Sequence, residues 1–245
     1  MKRPDRYFLE SFGDAEEGDV VSLDAAQSAH ALKVKRRLAG SEIELFDGRG
    51  NLALGRIIDS SSKNQLAARI ESIAVLATPP LGIHLVTAIP KSDRMETLID
   101  MVTQLGAVRI TPVIFERSVK LTGSKRTERW GRVAIEACKQ SGINFIPVID
   151  VPVLLHNWLT DNEISLAGRR WLADPAGEPV MHRLYPKCPL TQTVVIIGPE
   201  GGLTPNETER LHAVGYQSVA LGTGILRIEA AAIAFATLVA SERTT

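Results

Sequence analysis

Residues 194–207 read VVIIGPEGGLTPNE, an apolar run that breaks into a glycine loop and then starts a helix. A buried strand that ends in glycines ahead of a helix belongs to an open α/β sheet. In such sheets ligands bind at the carboxyl ends of the strands. The helix start is well specified. Thr204 is the N-cap candidate, Pro205 takes the first helical position, and Glu207 completes a Thr-x-x-Glu capping box. Gly215 stands where a helix-closing glycine belongs. Gly198–Gly202 is then either an ordinary tight turn or a loop whose backbone approaches a ligand. It has neither the Lys-Ser/Thr of a phosphate loop nor the spacing of a dinucleotide fingerprint. Glu200 would repel a pyrophosphate, so an uncharged or cationic ligand fits better.

The surrounding pattern divides the chain in two. Residues 1 to about 75 are β-rich. Ser41–Phe46 alternates apolar and polar, residues 47–51 (Asp-Gly-Arg-Gly-Asn) form a hairpin turn, and Leu52–Ile58 resumes the strand. Gln65–Ile73 reads as another strand and Asp24–Leu38 as one helix, which together suggest a small barrel-like module. A Pro-containing linker at Ala77–Leu81 follows. Beyond it strands and helices alternate, with a helix over Val153–Leu159 and a last one from Arg227 to Ala240. Such alternation predicts a largely parallel sheet with helices on both faces.

Leu221-Gly222-Thr223-Gly224-Ile225-Leu226-Arg227-Ile228-Glu229 is a second glycine-bearing strand-to-helix junction, about 20 residues after the first. Two such loops can face each other across one crevice. Arg227 and Glu229 then either point into it or form a solvent-exposed pair. The alanine-rich last helix fits a buried core helix or packing against a second subunit. Lys33, Arg36 and Arg37 share a helix face and either contact phosphates or form a solvated face. The basic stretch Lys120–Arg132 carries the same two readings.

The 28 Lys and Arg balance 28 Asp and Glu, so no global field steers the chain to nucleic acid and any RNA affinity must come from local patches. Cys138 and Cys188 lack metal-ligand spacing, and His30, His84, His156, His182 and His212 form no short-range cluster, so no metal is expected. No apolar run reaches membrane-spanning length and the N-terminus has no signal-peptide character, so a cytoplasmic protein is expected.

IGPEGG-L-T-x-x-E followed by LG-x-x-ILR-x-E resembles the RsmE family of SPOUT-class RNA methyltransferases. His30–Arg37 with SEIELFDG, Lys91-x-x-Arg94-Met95-Glu96, Leu105-Gly106, Glu116-Arg117-Ser118-Val119, Arg129-Trp130 and the 134–142 segment fall in family order. The resemblance implies a PUA-like RNA-binding barrel over residues 1–76 and a knotted, largely parallel α/β SPOUT domain over residues 82–245. It also implies a homodimer that methylates N3 of a uridine in 16S ribosomal RNA using S-adenosylmethionine. Carried onto this chain, the donor site comprises Ile197, Gly198, Pro199, Glu200, Gly201 and Gly202 from the first loop. The second loop adds Leu221, Gly222, Ile225 and Leu226. Arg227 becomes the candidate cation that stabilises a uracil anion, and Glu229 an orienting or proton-accepting group. RNA contacts would come from Lys33, Arg36, Arg37, Arg94, Arg117 and Arg129. The chain departs from the family pattern at Met101, Gln104, Ile143, Thr223, Gly224, Ile228 and Ala230. Those departures carry a second reading, an RNA-binding paralogue with lost catalysis or a changed target.

Overall fold

The computed structural model describes residues 4–29, 31, 39–58, 66–76, 82–118, 126–161, 168–184 and 192–242. These form two units. One is Met1–Pro79 with Cys138–Ile146; the other is Pro80–Ala137 with Pro147–Thr245.

The first unit holds strands β1 (Asp5–Phe8), β2 (Val20–Ser22), β3 (Glu42–Phe46), β4 (Asn51–Ile58) and β5 (Ala67–Val75), in the order β1-β3-β4-β5-β2. β1 runs parallel to β3, and the other pairs are antiparallel. The predicted hairpin joins β3 to β4. Asp47 Oδ1 fixes its turn by accepting from the backbone N–H of Arg49 (2.8 Å) and of Asn51 (3.1 Å). Ala53 and Ile57 on the inner face of β4 pack with Tyr7, Ile43, Leu45 and Ile70 in one core. Helix α1 covers Ala25–Ala29. His30, Lys33, Arg36 and Arg37 of the expected longer helix lie outside the described residues, as do Lys120 and Lys125.

Arg6 on β1 is a buried cation held by several partners. It pairs with Glu44 and lies 4.3 Å from the centroid of the Phe46 ring. It also donates to the carbonyls of Cys138 (3.0 Å) and Ile143 (3.2 Å) and to Asn144 Oδ1 (2.5 Å). A charge removed from water is tolerated when it is paired and hydrogen-bonded in this way. The same segment adds Ile146 N–H donating to the Gly48 carbonyl at 2.9 Å.

The second unit runs through β6 (Ile83–Ala88), α2 (Arg94–Gln104), β7 (Arg109–Ile114), α3 (Arg126–Ser141, whose last turn from Cys138 belongs to the first unit), β8 (Val148–Ile149), β9 (Val153–Leu154) and α4 (Leu155–Asp161). It continues with β10 (Arg169–Pro179), α5 (Met181–Leu184), β11 (Thr193–Ile197), α6 (Pro205–Ala213), β12 (Gln217–Ala220) and α7 (Ile228–Ser241). The strand order is β12-β10-β11-β6-β7-β8, with β9 also on β7, and every pair is parallel. All six residues of β6 are buried, as expected for a parallel strand with both faces covered. The expected α/β class is therefore the observed one. One expected helix is shorter. Val153 and Leu154 are not helical but pair with Val113 and Ile114, and the helix begins at Leu155. Strand pairing outweighs helix propensity there, since propensity is only a weak prior.

Helix α7 is a core helix. Ile228, Ala231, Ala232, Phe235, Ala236 and Val239 are buried, and it packs on α2, β6 and β11. Phe235 meets Trp171 of β10 with ring centroids 6.1 Å apart. Helix α6 is capped at both ends. Thr204 Oγ1 accepts from Glu207 N–H (3.3 Å), and Glu207 Oε2 accepts from Thr204 N–H (2.8 Å). At the other end Tyr216 N–H bonds the Leu211 carbonyl and Gly215 N–H the His212 carbonyl, a Schellman motif. Glu207 Oε1 additionally accepts from Glu116 N–H at 2.9 Å, tying the segment after β7 to the start of α6.

A polar network sits at the amino ends of β6 and β7. Asp150 accepts from Arg109 Nε (2.8 Å) and from the Thr111 hydroxyl (2.5 Å). With that hydroxyl proton committed to Asp150, His84 Nε2 is the donor toward Thr111 Oγ1 at 2.7 Å. Burial, and secondarily the Arg109 charge, push His84 from 6.5 down to about 4. The unfolded chain therefore takes up this proton first as pH falls. Stability from burying neutral His84 is complete above pH 6.5 and is lost toward about pH 4.

Two outcomes follow from this framework. Between pH 6.5 and 4 the wild type should lose on the order of 3 kcal/mol more stability than His84→Gln, whose amide still donates to Thr111. Urea unfolding at stepped pH checks this, and parallel curves would refute it. Glu207→Ala removes the acceptor for two backbone N–H groups and should cost about 2 kcal/mol. A denaturant midpoint unchanged from wild type would show that the box contributes nothing.

Candidate active site

Parallel pairing brings the carboxyl ends of neighbouring strands to one edge of the second sheet. Three adjacent strands, β12, β10 and β11, supply the walls of a cleft of about 230 Å³ there. From β11 and the loop after it come Ile197, Gly198, Pro199, Glu200, Gly202 and Leu203. From the junction after β12 come Leu221, Gly222, Gly224, Ile225 and Leu226. Val219 of β12 and Ile228, Ala231 and Phe235 of α7 complete an apolar lining. The two glycine loops thus face one crevice.

A third wall has no counterpart in the sequence reading. Ala173, Asp174 and Pro175 line the cleft from within β10. The pairing of β10 with β12 is interrupted between Ala173 and Glu178, which both oppose Val219. Residues 174–177 form an excursion there, and Asp174 Oδ1 accepts from Ala176 N–H (2.9 Å). Gly177 is required where the excursion returns, because a Cβ there would stand 2.5 Å from the Ser218–Val219 backbone. The available signal was Asp174-Pro175 at the carboxyl end of an expected strand.

The first loop is held from outside. Arg117 Nη1 donates to the carbonyls of Gly201 (3.1 Å) and Leu203 (3.3 Å). Gly201 itself does not line the cleft. Gly202 has φ +70°, a conformation that a residue with a Cβ rarely adopts. Hence two of the residues expected at the RNA, Arg117 and Arg94, have work inside the protein. Arg94, the first residue of α2, has Nη2 3.5 Å from Glu200 Oε1 and Nη1 3.6 Å from Glu229 Oε1. Arg129 pairs with Glu96 at 2.7 Å between α3 and α2.

Arg227 is exposed at the N-cap of α7 and does not line the cleft. Its side chain makes no capping bond. A cation there opposes the positive end of the helix dipole, a local electrostatic cost. Glu229 is mostly buried in the first turn of α7, and its Oε2 has no hydrogen-bond partner among the described residues. Chemically, the cleft offers apolar surface for a flat ring, backbone polar groups, and two lining carboxylates, Asp174 and Glu200. That set suits a cation carrying a planar base.

Among the described residues, no cluster of His, Cys, Asp or Glu is placed to hold a metal, and no helix is long and apolar enough to cross a membrane. Cys138 is buried, and burial pushes its thiol up to about 12, too high for a nucleophile.

Comparison with known proteins agrees with this geometry. The family model described as an RNA methyltransferase domain matches residues 77–240, and that of the RNA methyltransferase PUA domain matches residues 23–71. A Synechocystis protein named ribosomal RNA small subunit methyltransferase E is 30% identical over 212 residues, covering 84% of this chain and 68% of its own. A Legionella pneumophila methyltransferase solved with bound S-adenosylmethionine is 31% identical, with TM-score 0.84 and 98% of each chain covered. The Neisseria gonorrhoeae ribosomal RNA small subunit methyltransferase E, bound to the same molecule, is 30% identical, with TM-score 0.84 over 99% of this chain and 98% of its own. On the strength of these matches, the chain belongs to the RNA methyltransferase family that carries a PUA domain ahead of its methyltransferase domain.

Proposed function

We propose that this chain transfers a methyl group from S-adenosylmethionine to N3 of a uridine in small-subunit ribosomal RNA. It would act in the cytoplasm as a knotted homodimer, with residues 1–76 binding RNA and residues 82–245 carrying the chemistry. The observation that supports this reading most directly is the cleft itself. Asp174 and Glu200 line it together with an apolar floor, a donor set that fits a sulfonium ligand bearing an adenine ring. Relatives named for small-subunit rRNA methylation span most of the chain, which favours catalysis over an RNA-binding paralogue.

When bound, S-adenosylmethionine supplies a methyl group on a cationic sulfur. The chain must then position the base and dispose of the N3 proton. Glu229 Oε2, buried and without a hydrogen-bond partner among the described residues, is the acceptor in this reading. Arg227, at the mouth of α7, provides positive charge for the O2 or O4 oxygen as the ring becomes anionic. The glycine loop presents backbone groups to the donor, and Glu200 and Asp174 complement its charge.

Titration calorimetry with S-adenosylmethionine and mass spectrometry of methylated rRNA test the assignment. Arg227→Ala should lower methyl transfer by about a hundredfold while donor affinity stays within about threefold. Equal loss of both would move Arg227 into the donor site. Gly202→Val, which forces a β-branched residue to φ +70°, should abolish measurable donor binding. A wild-type protein that neither binds the donor nor restores a missing methyluridine in a deletion strain would end this reading.

A further inference from the structure

Arg94 connects three segments that are remote in sequence. Its Nε donates to the Lys91 carbonyl at 3.3 Å in the turn after β6. Its two terminal nitrogens reach Glu200 of the glycine loop and Glu229 of α7. One cation between two carboxylates has its charge already matched within the protein. The turn is also strained. Ser92 has φ +60°, the sole non-glycine residue with positive φ among those described. Asp93, at the N-cap of α2, makes no side-chain capping bond. Helix capping therefore does not dictate this turn. Strain of this kind persists where surrounding contacts over-determine the backbone, and it concentrates at functional sites.

We propose that Arg94 is a positioning residue for methyl transfer that acts through Glu229, rather than an RNA contact. Its guanidinium fixes Glu229 Oε1 and leaves Oε2 uncommitted as the proton acceptor. Lysine cannot replace it fully, because a single ammonium lacks the planar fork that spans both carboxylates. The inference rests on the role given to Glu229 above.

The test compares wild type, Arg94→Ala, Arg94→Lys, Glu229→Gln and the Arg94→Ala/Glu229→Gln double variant. The readouts are kcat for rRNA methylation, calorimetric Kd for S-adenosylmethionine, and the salt dependence of RNA binding. Arg94→Ala should lower kcat about tenfold or more with Kd changed less than about threefold. The double variant should be no slower than Glu229→Gln alone, and Arg94→Lys should recover part of the rate. Should Arg94→Ala fail to fold, Arg94→Lys carries the test through the same split between kcat and Kd. Losses that multiply in the double variant overturn the proposal. So does an unchanged kcat, with or without a salt slope flattened by about one, the mark of a lost phosphate contact. A wild type without donor binding would fail the functional reading instead, which keeps the two failures apart.

Discussion

Parallel pairing throughout the second sheet is the constraint on which the site depends. It sends every crossover around a face of the sheet and returns every carboxyl end to one edge. The segments after β12, β11, β6 and β7, together with the excursion inside β10, are therefore neighbours although they span residues 89 to 227. No one segment makes the cleft. β10 contributes only because its ladder with β12 breaks, and that break is possible only because Gly177 lets two backbones nearly touch.

The same edge gathers negative charge. Glu200 and Asp174 line the cleft, Glu229 sits beside it, and Glu207 lies beneath the loop. Each is handled differently. Glu207 is saturated by backbone N–H groups and serves geometry. Glu200 and Glu229 share Arg94. Asp174 turns its own excursion and still faces the cleft. Carboxylates withdrawn from water need compensation or a use, and these four range from exposed Glu200 to buried Glu207.

Much of this was legible in the sequence, and the exceptions have physical causes. The parallel strands were read because their apolar runs are nearly continuous, and α6 because its capping box and closing glycine are local codes. β1 and β2 were missed because four and three residues carry too little periodicity, and β1 depends on pairing with β3 far along the chain. The alanine-rich α7 left core and subunit packing both open in the sequence, and the structure shows its core packing on α2, β6 and β11. Arg94 and Arg117 were read as RNA contacts, and a sequence shows a charge but not the partners each also has inside the protein. Their partners lie more than 80 residues away, at Gly201, Leu203, Glu200 and Glu229. Asp174 escaped notice because its one local mark, the Asp174-Pro175 pair, signals the end of a strand and not a ladder that breaks and then resumes.

The Arg6 clamp has a bearing on biosynthesis. The first unit is drawn from the chain's beginning and from Cys138–Ile146, with Pro80–Ala137 of the second unit in between. Its buried guanidinium finds the carbonyls of Cys138 and Ile143 only after that stretch has been translated. Domains usually mature in the order in which they leave the ribosome. Here the first unit must wait, its cation incompletely satisfied, until residues 138–146 have been made. A nascent chain stalled before residue 138 would therefore expose the first unit without the segment that completes its Arg6 site.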